Sequence, residues 1–205
     1  DHTRIIKDIV ETAGQYSLIT RPRRFGKTLT LDMLRCFFEY GNDPQIFNGL
    51  EIAQYPDFCQ KHQNQYPVIF LTFKDIDAPI FEDARAMLCR AIYNEAMRLV
   101  FLRKSTQLEK EEIEQYNELC QVKTMKNDNI RASLQILTQL LYKHYGKQVI
   151  VLIDEYDVPL TKAHHSGYYD EMLPFVRDML HGLKDNKAVK FVIITGCLKI
   201  SKESI

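Results

Sequence analysis

Four short, almost wholly apolar runs are separated along this chain by longer segments with helical periodicity. The runs are Tyr16–Ile19, Pro67–Phe73, Val149–Ile153 and Lys190–Gly196. Strands that are apolar along their whole length are typical of sheets covered on both faces, and strands that alternate with helices pair in parallel. The pattern therefore predicts an α/β fold, a three-layer α/β/α sandwich with a mainly parallel sheet.

The segments between these runs place apolar residues at the spacing of a helix. The charged segment among them, 104–118, is predicted to be a solvated helix rather than an acidic binding surface. Pro159 is predicted to end a turn, and the adjacent His164 and His165 to lie in a loop. The predicted helices are Thr3–Val10, Leu29 to about Gly41, Ile80–Val100, Lys104–Glu118, Ile130–Tyr145 and Glu171–Leu183.

Composition narrows the class of protein. Lysine plus arginine and aspartate plus glutamate each number 27, so the formal net charge is zero. That balance argues against a dedicated nucleic-acid-binding surface, and we expect contact with nucleic acid only indirectly. The 5 cysteines include no C-x-x-C pair, which is typical of reduced thiols in a cytoplasmic protein without a zinc site. No apolar run approaches the roughly 18 residues of a membrane span.

The segment "RPRRFGKTLT", residues 21–30, ends like a phosphate-binding loop. In such a loop, backbone N–H groups at a helix N-terminus surround the phosphates of a nucleotide. The lysine reaches the β- and γ-phosphates, and the following hydroxyl ligates Mg²⁺. The sequence therefore predicts a site for ATP and Mg²⁺. The residues predicted to bind ATP are Arg23, Arg24, Phe25, Gly26, Lys27, Thr28 and Leu29.

The loop does not begin in the usual way, because Arg21 stands where the usual pattern has glycine. Pro22 fixes its own φ and favours an extended Arg21, so we expect a stiff, non-standard loop. Arg23 and Arg24 could supply phosphate contacts that compensate, or they could be surface charges. The replacement of glycine by Arg21 is expected to affect ATP hydrolysis more than ATP binding.

The third apolar run ends in a pair of acids, Asp154 and Glu155. A nucleotide-bound Mg²⁺ needs an acid beside the loop, and Asp154 is the predicted metal ligand together with Thr28. Hydrolysis needs a group that takes a proton from the attacking water, and Glu155 is the predicted catalytic base. The alternative is a strand that simply ends in solvated acids. The order of the triplet Gly26–Thr28 and this acid pair, each after an apolar strand, favours the nucleotide site.

Thr195 ends the fourth run. A neighbouring strand of such a sheet would bring a polar side chain near the γ-phosphate, where Thr195 would help to position the attacking water. A threonine that satisfies a turn remains an equal alternative.

Four segments together resemble the predicted AAA-ATPase-like proteins of bacteria: "DHTRIIKDIVE", "LITRPRRFGKTLTLDML", "VLIDEYDVPL" and "IITGCLKISKESI". The resemblance is carried by Thr20–Thr28, Leu152–Leu160 and Ile194–Ser204 and spans essentially the whole chain. It implies that arginine is the usual residue of that family at the position of Arg21. It also implies a P-loop NTPase of the additional-strand glutamate class, with Glu155 as catalytic base.

Members of that family usually carry a further C-terminal region that resembles a PD-(D/E)xK nuclease. No such region is visible in 1–205, which we expect to be one P-loop domain truncated at both ends. The predicted function is Mg²⁺-dependent binding and hydrolysis of ATP that drives or regulates an attached effector region. The alternatives are a nucleotide-dependent switch that does not hydrolyse ATP and a protein-interaction module. An arginine finger would have to come from another region or from another subunit of a homo-oligomer.

Overall fold

The structure, a computed structural model, describes residues 1–12, 14–22 and 24–197. Within these residues it shows a four-stranded, all-parallel sheet with helices packed on both faces. The predicted α/β/α sandwich with a parallel sheet is therefore confirmed. The end of the resemblance segment Ile194–Ser204, from position 198 onward, lies outside the described residues.

The strand order in the sheet is β1-β4-β3-β2. Ile19 lies opposite Thr195, and Thr72 lies opposite Asp154. The carboxyl ends of the strands therefore meet at one edge, where ligands of open α/β sheets bind. The strands are β1 (Tyr16–Thr20), β2 (Val68–Thr72), β3 (Val149–Asp154) and β4 (Val189–Gly196).

The helices connect these strands and cover them. Short 3₁₀ segments accompany them at Pro44–Phe47, Glu51–Gln54 and Val100–Lys104. Within the described ranges, no helix combines the length and apolar character needed to cross a membrane. The helices are α1 (Ile5–Thr12), α2 (Lys27–Phe38), α3 (Pro56–His62), α4 (Phe81–Arg98), α5 (Lys110–Leu119), α6 (Asn127–Tyr145), α7 (Val158–Ser166) and α8 (Tyr169–His181).

Three local predictions were wrong. His164 and His165 lie in α7, not in a loop, because Pro159 occupies the first turn of the helix, where its missing N–H costs nothing. The predicted solvated helix over 104–118 begins only at Lys110, where a capping box between Glu109 and Glu112 starts α5. That helix buries Tyr116 and Leu119, so only part of it is solvated.

Alternation along the strands divides the core into two layers. On β3, Val149, Val151 and Ile153 face the layer that contains α4 to α8. Ile150 and Leu152 face the opposite layer, which contains α1, α2 and α3. Both faces of β3 are therefore buried, which is why its sequence is continuously apolar.

The outer edge of β2 is closed by two side chains of α4. Glu95 accepts a hydrogen bond from the backbone N–H of Phe70 at 2.8 Å, and Arg98 donates one to the carbonyl oxygen of Val68 at 2.6 Å. Burial works against the charge of Arg98, but its hydrogen bonds to Glu95 and the charge of Glu39 hold the pKa of its guanidinium above the ordinary value. Side chains thus satisfy two backbone groups of this edge strand, and they block further pairing at these two positions.

Candidate functional site

Residues 21–26 link β1 to α2 at the edge where the strands end. Gly26, which immediately precedes the helix, has a φ of 72°, a left-handed conformation that favours glycine. Arg24 is also left-handed, with a φ of 67°. Two left-handed residues, Arg24 and Gly26, thus lie within three positions of each other. The stiffness expected of the loop from Pro22 stays a prediction. Arg23, predicted as a binding residue, lies outside the described residues.

Lys27, the first residue of α2, is only 4% exposed and is bonded to its own loop. Its Nζ donates to the carbonyl oxygens of Arg21 at 2.9 Å and Pro22 at 3.2 Å, and it lies 3.3 Å from Sγ of Cys197. All three N–H groups of the ammonium therefore have a partner. The sequence predicted the position of Lys27 but not these contacts, and no sequence signal links Cys197 to it.

Asp154 joins three elements of the site. It is fully buried at the end of β3. The hydroxyl of Thr28 donates to its Oδ2 at 2.7 Å, and the hydroxyl of Thr195 donates to its Oδ1 at 2.6 Å. Three of the predicted site residues, from α2, β3 and β4, are thus brought into direct contact.

Glu155 follows directly and leaves the strand in a left-handed conformation, with a φ of 52°. Its backbone N–H donates to the Thr195 hydroxyl at 3.3 Å. Its side chain is half-buried, and its carboxylate has no hydrogen bond or ion pair with any part of the chain that the structure describes. A non-glycine residue in this region costs about 1–3 kcal/mol and is common at functional sites, where the surrounding fold enforces it.

The remaining predicted binding residues lie on the open side of the loop. Phe25 is 62% exposed and Leu29 is 74% exposed, while Arg24 is exposed as well. Phe25 and Leu29 thus present apolar surface to solvent beside the loop. The structure does not bring these three side chains to Asp154.

Two residues to which the sequence assigned no site role, Tyr156 and Asp157, connect the loop after β3 to the end of β4. Asp157 is buried and accepts a hydrogen bond from the backbone N–H of Cys197 at 3.0 Å. The backbone N–H of Tyr156 donates to the carbonyl oxygen of Thr195 at 3.0 Å. A further acid two residues after Glu155 is the sequence signal that could have indicated this role.

Gly196 is expected to be intolerant of any side chain. A Cβ added there would lie 2.7 Å from Cε1 of Tyr156 and 2.8 Å from Oδ1 of Asp157. Both neighbours are buried and cannot move freely, so Gly196→Ala is expected to lower the free energy of unfolding by about 1–3 kcal/mol. Urea denaturation would measure this loss as a lower midpoint concentration with an unchanged m-value.

The matched control is Gly14→Ala, because nothing lies within 4 Å of a Cβ at Gly14. If both variants unfolded at the same urea concentration, the close packing of Gly196 against Tyr156 and Asp157 would be contradicted.

The arrangement around Asp154 suits a hard cation next to a phosphate. A hydroxyl and a carboxylate oxygen are ligands that Mg²⁺ accepts, and Mg²⁺ commonly takes one or two carboxylates together with phosphates and waters. Over the described ranges, no group of three or more His, Cys, Asp or Glu side chains could hold a metal ion by itself. Thr28 and Asp154 therefore fit a metal whose other ligands come from a nucleotide and from water.

The chain is similar to a known protein family and to a bacterial protein. A family model described as "Predicted AAA-ATPase" matches residues 1–205. The chain is 29% identical over 210 residues to a protein of Azotobacter chroococcum mcd 1 described as "Uncharacterized protein in vnfD 5'region". That alignment covers 100% of this chain but 34% of the relative, so the chain spans about a third of the relative's length. No solved structure matches the chain.

Proposed function

The chain belongs to the predicted AAA-ATPase family, and from this premise we propose that it binds ATP with Mg²⁺ at the loop between β1 and α2 and hydrolyses the bound ATP. One observation carries the proposal: the hydroxyls of Thr28 and Thr195 both donate to the buried carboxylate of Asp154. A chance strand end with solvated acids would not be buried or linked to the loop in this way.

Phosphate binding in this proposal depends on a change of partners at Lys27. The ammonium leaves the carbonyl oxygens of Arg21 and Pro22 and donates to phosphate oxygens, which form stronger, charge-assisted hydrogen bonds. The backbone N–H groups of Arg24 to Thr28 add further donors, and the dipole of α2 favours negative charge at this end.

Thr28 and Asp154 would hold the metal. Mg²⁺ held there would supply positive charge that offsets the negative charge of the phosphate oxygens. The Thr28 hydroxyl and the Asp154 carboxylate, which are hydrogen-bonded to each other at 2.7 Å, would both be available to the cation as oxygen ligands.

Glu155 supplies the chemistry of hydrolysis. Its carboxylate accepts a proton from the attacking water, whose oxygen forms a bond to the γ-phosphorus. The bond from the γ-phosphorus to the β–γ bridging oxygen breaks, ADP and inorganic phosphate leave, and Glu155 returns its proton to solvent. Thr195, which contacts both Asp154 and the backbone of Glu155, helps to position the water.

The strand order supports the additional-strand glutamate class. β4 lies between β1 and β3, so an extra strand separates the phosphate-binding loop from the strand that ends in Asp154 and Glu155. We also propose that ATP turnover drives or regulates an attached region, with the nuclease-like C-terminal region and a second subunit of a homo-oligomer as the partners to test.

ATP with Mg²⁺ is expected to stabilise the full-length protein. A ligand that binds only the folded state adds about 2.7 kcal/mol at 100 times its dissociation constant. We expect the free energy of unfolding to rise by this amount with ATP and Mg²⁺, and by less with ATP and a chelator, because Thr28 and Asp154 then have no cation between them and the phosphates. Thermal or urea unfolding measures both.

Identical unfolding curves with and without ATP and Mg²⁺ would contradict nucleotide binding and favour a protein-interaction module. Equal stabilisation with and without the chelator would contradict the assignment of Thr28 and Asp154 as metal ligands, but it would not contradict nucleotide binding.

A further inference from the structure

A cavity of about 580 Å³ adjoins the phosphate-binding loop, and Asp154 is not among the residues that line it. One wall is formed by the loop and the start of α2, including Phe25, Gly26 and Leu29. The other wall is formed by Arg4 and the first turns of α1. Gly26 belongs both to this cavity and to the loop that would surround the phosphates. Its volume lies within the range of about 300–1,000 Å³ that is usual for ligand sites.

The first wall presents apolar surface that the fold leaves uncovered. Phe25 and Leu29 are 62% and 74% exposed, although they flank the buried Lys27. Leu29 directly follows Thr28, so it lies one residue from the predicted phosphate and metal ligands. An aromatic ring and an aliphatic side chain in this place offer a surface on which a nucleic-acid base can stack.

The second wall presents a donor and an acceptor. Arg4 Nε lies 3.7 Å from Asp8 Oδ1, and their side chains are 61% and 54% exposed. A pair so exposed contributes little to stability, so both groups remain available to a ligand. Adenine carries an amino group that donates and ring nitrogens that accept, which match a carboxylate and a guanidinium respectively.

The wall that carries Arg4 and Asp8 is held in place by the segment before it. Asp1 accepts a hydrogen bond from the backbone N–H of Glu51 at 2.6 Å, and Thr3 accepts one from Ile52 at 3.0 Å. Ile6 is fully buried and fixes α1 to the core. The cavity is thus formed before any ligand arrives, which reduces the cost of binding.

We propose that this cleft, formed by α1 and the first turn of α2, receives the adenosine part of the bound nucleotide. The base stacks on Phe25 and Leu29, and Arg4 and Asp8 meet its polar edge. This inference rests on the proposed function, because the phosphate-binding loop must hold the other end of the same molecule.

The test compares ATP with inorganic tripolyphosphate, which offers the phosphates without the nucleoside. Dissociation constants are measured by titration calorimetry on the full-length protein with Mg²⁺. The wild type is expected to bind ATP at least about tenfold more tightly than tripolyphosphate. Phe25→Ala is expected to weaken ATP binding about 5- to 150-fold, the usual range for loss of base–aromatic stacking. Leu29→Ala, which removes an aliphatic contact, is expected to weaken ATP binding by a smaller factor. Both variants are expected to leave tripolyphosphate binding within about twofold.

Two further variants complete the test. Asp8→Asn is expected to weaken ATP binding without weakening tripolyphosphate binding. Ile46→Ala removes a side chain that is 51% exposed outside the cleft, and it is expected to change neither constant.

The possible failures are distinguishable. If the wild type bound ATP and tripolyphosphate equally, or if Phe25→Ala and Leu29→Ala weakened both ligands alike, the adenosine cleft would be wrong and the phosphate site would stand. If the wild type bound neither ligand, the proposed function would fail and this inference with it.

Discussion

Replacing Glu155 with glutamine is expected to lower the rate of ATP hydrolysis by about 10²- to 10⁴-fold and to leave ATP binding intact. Glutamine has the same shape as glutamate but cannot accept the proton of the attacking water. Because the Glu155 carboxylate makes no hydrogen bond or ion pair with the described residues, the substitution breaks no such bond among them.

The unusual backbone conformation of Glu155 is the reason for choosing glutamine rather than a smaller residue as the replacement. Glu155 is left-handed, with a φ of 52°, and its N–H is bonded to the hydroxyl of Thr195. Glutamine keeps the backbone groups and the side-chain length, so the bond to Thr195 and the position of Asp154 are preserved. A loss of activity in this variant would therefore report the carboxylate itself.

Phosphate release under multiple and single turnover, together with ATP-dependent stabilisation, measures the effect. Glu171→Gln makes the same chemical change on the exposed first turn of α8 and is expected to behave as wild type. Hydrolysis by Glu155→Gln within a few-fold of wild type would remove Glu155 from the role of base. If the variant bound ATP, released no phosphate and still supported the output of the attached region, the site would be a switch that works by binding alone.

The parts of the fold that the sequence predicted well are those set by local pattern. A run with no polar residue between Val149 and Ile153 leaves few alternatives to a strand covered on both faces, and β3 occupies Val149–Asp154. The long apolar repeat predicted over 80–100 corresponds to α4 at Phe81–Arg98. In both cases the burial pattern and the intrinsic preference of the backbone agree.

Other parts depend on contacts between distant residues, which a single sequence does not record. The order β1-β4-β3-β2 is decided by pairing across the whole chain, and Lys27 meets Cys197 across 170 positions. The seven-residue α3 is too short to show periodicity. α7 was missed because Pro159 was interpreted as the end of a turn and His164 and His165 as loop residues, although proline is acceptable in the first turn of a helix.

In the candidate site, too, local sequence pattern predicts some features, while contacts between distant residues determine others. The residues Lys27, Thr28, Asp154 and Thr195 follow from strand ends and motif spacing, and in the parallel sheet they lie at one edge. Their roles in binding and catalysis stay predictions. The left-handed backbone of Glu155 and the close packing of Gly196 could not be predicted, because each is imposed by neighbours that become adjacent only in the folded chain.

Replacing Lys27 with methionine is expected to remove most of the stabilisation that ATP gives. Methionine retains much of the aliphatic stem of this buried side chain but cannot donate to phosphate. If the dissociation constant rises 100-fold, a concentration that stabilises the wild type by about 2.7 kcal/mol would stabilise the variant by only about 0.4 kcal/mol.

The quantity to compare is the increase in the free energy of unfolding that ATP gives to each variant. This is necessary because Lys27 also stabilises its loop in the absence of nucleotide. Its ammonium bonds the carbonyl oxygens of Arg21 and Pro22, so Lys27→Met is expected to lower the stability of the unliganded protein as well. Subtracting the free energy of unfolding without ATP from that with ATP separates the two effects. Lys184→Met, on an exposed residue outside the site, is expected to keep the full increment. An undiminished increment in Lys27→Met would mean that this lysine only braces its loop, and that ATP, if bound, is held by other groups.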